Sequence, residues 1–329
     1  MQNLVTVFGG SGFVGTQAVR HLAKAGWRIR VAVRNPNLAY KMRLLGDVGQ
    51  IDVVQANVRD IPSLERALEG ATASLNLVGL LFETGRQGFA SIHVEGARNI
   101  AQAARACGVT RVVQVSALGA SPSSSAQYAR TKAEAEAAVR AIYPDAAIVR
   151  PSIVFGSGDG FFERFAAMAQ ISPALPLIGG GATRFQPVYV GDLGQALARI
   201  VASPDSAGQT YELGGPATYS FKALMEKLLA EIGQRRALVP LPFPAASLIG
   251  KLGELTAFLM KPPLTSDQVE LLKTDNVVSG ACPGLAELGI TPTTLEAVLP
   301  TYLYRYRKGG QYADQEDRVM TVQPEAEKR

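Results

Sequence analysis

The sequence predicts an α/β protein, a doubly wound parallel sheet with a smaller, mainly helical C-terminal domain. Three observations carry this. Short β-branched runs alternate with helix-length segments through the first 150 residues, a pattern that builds a parallel sheet covered on both faces. A glycine-rich turn joins the first run to the first helical segment. After Pro151 the texture changes to glycine loops, prolines and helices.

The first strand is Val5–Phe8, which breaks into Gly9-Gly10-Ser11-Gly12-Phe13-Val14-Gly15 and opens a helix over Thr16–Ala25. Gly9 permits the tight turn, Gly12 lets backbone approach a phosphate, and Gly15 lets the helix pack close to the strand. A helix N-terminus offers unpaired N–H groups and partial positive charge, so this unit is a seat for a pyrophosphate. The alternative is a glycine turn without a ligand. Further strands are expected at Arg30–Val33, Asp52–Gln55, Ser74–Leu77, Arg111–Val115 and Ala147–Arg150, and helices at Ile61–Leu68, Phe89–Ala106 and Tyr128–Ile142.

Beyond Pro151, the loop Gly156–Gly160 leads into a helix at Phe161–Gln170, then a proline-rich link (172–176) and Gly179–Gly181. Phe185–Val190 reads as a strand returning to the sheet, with Asp192 capping the next helix, and Tyr211–Leu213 as one more short strand. Residues 1–155, rejoined by 182–216, are assigned to an NAD(P)-binding domain. Residues 156–181 and 217–308 form a smaller substrate or partner domain, and 309–329 a polar, flexible tail.

Composition narrows the function classes. With 47% hydrophobic and 19% charged residues, the 329-residue chain can bury a core and is not disordered. Its net charge of +5 is scattered, which argues against nucleic acid and suits a phosphate ligand or an anionic membrane surface. Cys107 and Cys282 make neither a disulfide framework nor a metal spacing, pointing to a reducing compartment. His21 and His93 lie far apart, so no zinc or catalytic-histidine site is expected; His93 is placed in the core of the first domain. No run approaches the ~20 apolar residues of a spanning helix. The first strand begins too early for a signal peptide, so the expected location is cytoplasmic, with peripheral contact on the inner face of the cytoplasmic membrane as an option.

Tyr128-Ala129-Arg130-Thr131-Lys132 is Y-x-x-x-K, which places both side chains on one helix face. A nearby ammonium is expected to lower the tyrosine's high pKa and make it a usable acid/base, and the same lysine can hold a ribose. Ser116, at the end of its strand, is the best-placed serine to orient a substrate oxygen; Ser121, Ser123, Ser124 and Ser125 are alternatives. At the end of the second strand, Val33-Arg34-Asn35 holds no carboxylate to grip a ribose 2′-hydroxyl, while Arg34 suits a 2′-phosphate. NADP(H) is therefore preferred, NAD(H) being the alternative. Asn57 and Val58 follow the third strand toward adenine, and Leu77, Val78 and Gly79 line the adenosine half. Pro151 and Ile153 complete the candidate cofactor contacts.

With these residues placed, the chain resembles atypical members of the extended short-chain dehydrogenase/reductase superfamily, NAD-dependent epimerase/dehydratase-like proteins with a Rossmann-type sheet. The likeness runs through the glycine motif, Tyr128–Lys132, Arg150–Gly156, Pro187–Asp192 and Tyr211–Gly215. Where many extended members carry a serine, this chain has Leu118. More narrowly, Gly158–Phe165 and the ending Tyr302–Tyr306 resemble the subunit 9 family of the respiratory complex I alpha subcomplex. That resemblance implies a tightly held NADPH with a structural role, complex I subunits or quinone-pathway proteins as partners, and a link to ubiquinone metabolism. The alternative is an active NADPH-dependent reductase, epimerase or dehydratase on a small or isoprenoid substrate, working through Tyr128 and Lys132; a third reading is an NADPH sensor.

Two segments bear on peripheral contact. Pro244–Met260 is expected as a helix with Leu248, Leu252, Leu255 and Leu259 on one side and Lys251, Glu254 and Phe258 on the other. Such a helix packs on its own domain or meets a membrane or partner. Tyr302–Lys308 combines three tyrosines with basic residues, a mixture that suits a lipid interface or partner groove.

Overall fold

The computed structural model describes residues 3–85, 87–255 and 264–312. In chain order, β1 (Leu4–Phe8) leads to α1 (Phe13–Lys24), β2 (Arg28–Val33), β3 (Ile51–Gln55), α2 (Ile61–Leu68) and β4 (Ala73–Asn76). A π turn (Ala90–Val94) opens α3 (Glu95–Ala106), followed by β5 (Arg111–Val115), α4 (Gln127–Ile142), β6 (Ala147–Pro151) and β7 (Val154–Phe155). Then come α5 (Phe162–Ile171), β8 (Ala174–Ile178), β9 (Arg184–Phe185), β10 (Val188–Tyr189), α6 (Val190–Ala202) and β11 (Thr210–Leu213). The rest holds β12 (Tyr219–Ser220), α7 (Phe221–Glu231), β13 (Ala237–Leu241), α8 (Phe243–Leu255), α9 (Ser266–Leu271), α10 (Leu295–Val298) and α11 (Pro300–Leu303).

The main sheet has the order β3-β2-β1-β4-β5-β6-β11, and all its pairings are parallel. Both faces are covered, which is why its central strands read as nearly continuous apolar runs. On one face α1 and α6 bury Val5, Val7, Ala18, Leu22, Leu193 and Leu197; on the other, α2, α3 and α4 bury Phe8, Leu64, Ile100 and Val139. Strand order reverses between β1 and β4, and this leaves a crevice beyond their C-terminal ends. A further core gathers Phe162 of α5, Phe221 and Leu224 of α7, and Tyr302 and Leu303 of α11.

The expected strand at Phe185–Val190 does not return to the main sheet. β9 pairs antiparallel with β12, β10 pairs parallel with β7, and Val190 already begins α6. Pro187 interrupts the run, so neither half extends beyond a two-residue ladder. Asp192 likewise does not cap: it lies inside the first turn of α6, and its carboxylate accepts the Thr293 N–H (2.7 Å) and hydroxyl (2.9 Å), tying down the C-terminal segment.

The described part of the expected amphipathic helix is α8; Phe258 and Leu259 lie outside the described residues. Its inward side is Ala246 and Gly250, small enough for α9 to approach closely, and Leu248 and Ile249 are exposed. The segment Tyr302–Lys308 divides between core and surface. Tyr302 and Leu303 are buried, Tyr302 donating to Asp159 (2.6 Å), while Tyr304, Arg305 and Lys308 are exposed; Arg305 pairs with Glu163 and Arg307 with Glu231. Of the expected tail, Gly310–Tyr312 form a 3-10 turn and 313–329 lie outside the described residues. No helix among the described residues is long and apolar enough to cross a membrane.

Candidate functional site

A cleft of about 320 Å³ opens where β1 and β4 part. Of the candidate cofactor residues, Gly9, Ser11, Gly12, Arg34, Asn57, Val58, Leu77, Val78 and Gly79 line it. Gly10, Phe13, Val14 and Gly15 stand behind this wall and build the turn and the start of α1. Gly9 takes a left-handed φ of +76°, and a Cβ on Gly15 would lie 2.3 Å from the Gly9 carbonyl oxygen, so helix and loop touch there. α1 starts at Gly12 without a side-chain cap and without an acidic residue in its first turn, leaving its positive end for an anion. These features fit a dinucleotide's pyrophosphate.

Among the described residues, the cleft's charged walls are Arg34 and Arg59, and no carboxylate lines it. Asn35 does not compete for a ligand, because its Oδ1 accepts the Asn37 N–H and starts a 3-10 turn. Asn57, on the cleft wall, also shapes the turn that presents Arg59, its Oδ1 accepting the Arg59 N–H (3.1 Å). Asn76 does the same after β4, accepting the Val78 N–H at 3.0 Å.

Tyr128 and Lys132 share a face of α4, with Lys132 Nζ 5.8 Å from the Tyr128 ring centre. Lys132 is buried and donates to the Val115 carbonyl (3.4 Å); a Cβ on Gly79 would lie 3.2 Å from its Nζ, so it reaches the edge of the cleft. Burial pushes Lys132 down to about 8, opposed by Glu136. Glu136 is itself paired with Arg150 at 2.9 and 2.6 Å.

The expected lowering of the tyrosine pKa is not met. Tyr128 is pushed up to about 12, first by burial and then by the Asp267 carboxylate. Asp267 accepts the N–H groups of Gln127 (2.5 Å) and Tyr128 (3.0 Å), capping α4 from α9 because Ala126 offers no side-chain cap. The phenol is therefore a firmly protonated donor in the cofactor-free protein.

Ser116 is 4% exposed and its hydroxyl has no partner, whereas the loop serines are engaged. Ser121 bonds Ser123, Ser124 accepts the Ala126 N–H, and Ser125 donates to Glu270. Pro151 ends β6 and accepts the Leu118 N–H, while the Ile153 N–H donates to Asn276 Oδ1; neither is among the cleft walls. The sequence reading missed Arg59, Asp267 and Asn276. Asp267 and Asn276 had no local signal, since their partners lie more than 120 residues away in sequence. His93 was foreseen as a core residue, and the structure sets its ring 5.5 Å from that of Tyr128.

The pattern of the NAD dependent epimerase/dehydratase family matches residues 5–214. Over 308 residues the chain is 36% identical to the mitochondrial NADH dehydrogenase [ubiquinone] 1 alpha subcomplex subunit 9 of Rattus norvegicus, covering 92% of this chain and 80% of that protein. It is 31% identical to a ceramide reductase of Caulobacter vibrioides over 283 residues, covering 85% of this chain and 87% of that one. The fold superposes on an NADPH-dependent quinone oxidoreductase of Escherichia coli, solved with NADPH, with a TM-score of 0.69, 24% identity, and coverage of 91% and 98%.

Proposed function

The chain belongs to the NAD dependent epimerase/dehydratase family, among relatives of the complex I alpha subcomplex subunit 9, and from that membership we propose that it binds NADPH as an accessory or assembly partner of respiratory complex I. The observation that carries the cofactor is the cleft wall, where Arg34 and Arg59 are present and, among the described residues, no carboxylate is. A 2′-phosphate gains charge-assisted bonds there, while a 2′-hydroxyl lacks its usual acidic partner. The pyrophosphate would sit at the start of α1, and Lys132 would take the ribose. The partner reading rests on the extent of the subunit 9 match, which spans most of both chains. The exposed Leu248 and Ile249 of α8 suit peripheral contact with that assembly or with the membrane beside it. Purified from its host, the protein is expected to carry NADPH that exchanges slowly, is not oxidised by short-chain quinones, and comes with complex I subunits. An empty protein without those subunits would sink this reading.

A second reading is favoured by the unpartnered Ser116 hydroxyl, one residue beyond the Val115 carbonyl that Lys132 bonds, together with the Tyr128 and Lys132 pair. Here the protein is a reductase on a carbonyl substrate, as a ceramide reductase among its relatives illustrates. The nicotinamide supplies hydride when bound. Ser116 would hold the carbonyl oxygen, and Tyr128, kept protonated by burial and Asp267, would donate to that oxygen as it gains charge. Tyr128→Phe is then expected to lower turnover at least roughly 100-fold, the scale of positioned acid catalysis, with NADPH affinity unchanged. Unaltered turnover would remove Tyr128 from the mechanism.

A further inference from the structure

His93 occupies the π turn Ala90–Val94, a widened turn of the kind often found beside functional sites. It is 2% exposed. Its Nε2 accepts the Leu80 N–H at 2.9 Å, so that nitrogen carries no proton. Nδ1 must then hold the ring proton and donate it to Thr131 Oγ1 at 3.0 Å. Thr131 in turn donates to the backbone carbonyl of Gln127 (2.9 Å) or Tyr128 (3.1 Å) on α4. Every donor and acceptor is used in one direction, from the cleft loop through the imidazole into the helix.

The loop end of this chain is at the cleft. Gly79 and Leu80 line it, and a Cβ on Gly79 would stand 3.2 Å from Lys132 Nζ and 3.7 Å from His93 Nε2. On the helix end the imidazole meets the Tyr128 ring edge-on at 5.5 Å and lies tilted on Phe89 at 5.2 Å. The titratable groups facing the ring are Lys132 and Tyr128, both from α4. We propose that His93 is a positioning residue, an uncharged strut that holds the Gly79–Leu80 edge of the cofactor cleft against the helix carrying Tyr128 and Lys132. Its bearing on NADPH rests on the cofactor reading above. Burial and the Lys132 ammonium push His93 down to about 3, in keeping with a ring that stays neutral.

The chain has two histidines, so nitrogen NMR on histidine-labelled full-length protein resolves the two rings, with His93→Phe giving the assignment. The strut predicts an Nδ1–H tautomer for His93 that does not titrate between pH 8 and 5. It also predicts that His93→Phe, which fills the space and cannot accept, speeds Leu80 amide exchange at least about tenfold and weakens NADPH about tenfold. His93→Gln, which keeps an acceptor, should recover most of both. An Nε2–H tautomer, a midpoint near the ordinary histidine value, or Leu80 exchange unchanged in His93→Phe would overturn the strut. Equal NADPH affinity in wild type and His93→Phe would overturn its link to the cofactor. If wild type binds no NADPH, the cofactor reading fails by itself, and the tautomer and Leu80 exchange still decide the strut.

Discussion

Gly15→Val is expected to abolish NADPH binding and to lower stability by about 1–3 kcal/mol, the range for overpacking a close contact. A Cβ there falls 2.3 Å from the Gly9 carbonyl oxygen and 2.6 Å from Gly10 Cα and carbonyl carbon. These are backbone atoms, so no rotamer relieves the overlap, and either the turn or α1 must move. Both would build the pyrophosphate seat, and α1 packs into the main core through Ala18 and Leu22. Gly160→Ala is the control, because nothing lies within 4 Å of its added methyl. Thermal melts and calorimetric titration with NADPH read both effects. A Gly15→Val protein that melts and binds like wild type would mean that α1 does not meet the loop as described.

Lys132→Met is expected to stabilise the cofactor-free protein at pH 7 while weakening NADPH. The ammonium is pushed from 10.5 to about 8 by burial, and its nearest carboxylate, Glu136, is spent on Arg150. At ~1.4 kcal/mol per pKa unit, the charged lysine costs the fold on the order of 3–4 kcal/mol at neutral pH. Between pH 8 and 10.5 the unfolded chain still holds the proton that the folded chain has released, so wild-type stability rises with pH across that window. The methionine variant should lack that rise and start from a higher value. Denaturant melts from pH 7 to 10.5 decide it, and a variant less stable than wild type at pH 7 would show that the ammonium is better solvated than its burial implies.

Buried charge of this kind is poorly visible in a sequence, and that explains which parts of the site could be read in advance. Gly9 to Gly15 and Tyr128 with Lys132 are local patterns whose spacing fixes their geometry; Tyr128 and Lys132 fall on the predicted helix, while α1 starts at Phe13, three residues before the expected Thr16. Arg34 was legible because it follows directly from the end of β2. The protonation of Tyr128 was not, since it depends first on the burial of its ring and then on Asp267, which arrives 139 positions later in sequence through the docking of α9. The strand misread at Phe185–Val190 has the same origin. Its apolar residues fit a sheet, yet Pro187 and pairing with the distant β7 and β12 decide where they go. On α8, periodicity marked the leucines as one face, while the close approach of α9 selected Ala246 and Gly250 as the packed side.

The central claim is that the cleft between β1 and β4 takes NADPH, selected by its two arginines. Stripping the protein of nucleotide and titrating it with NADPH and with NADH in parallel is the direct measurement. One well-made charge-assisted contact is worth roughly 1.5–3 kcal/mol, so NADPH should bind about 10- to 100-fold more tightly, and Arg34→Ala should erase most of the difference. Equal affinities in the wild-type protein, or tighter binding of NADH, would contradict it.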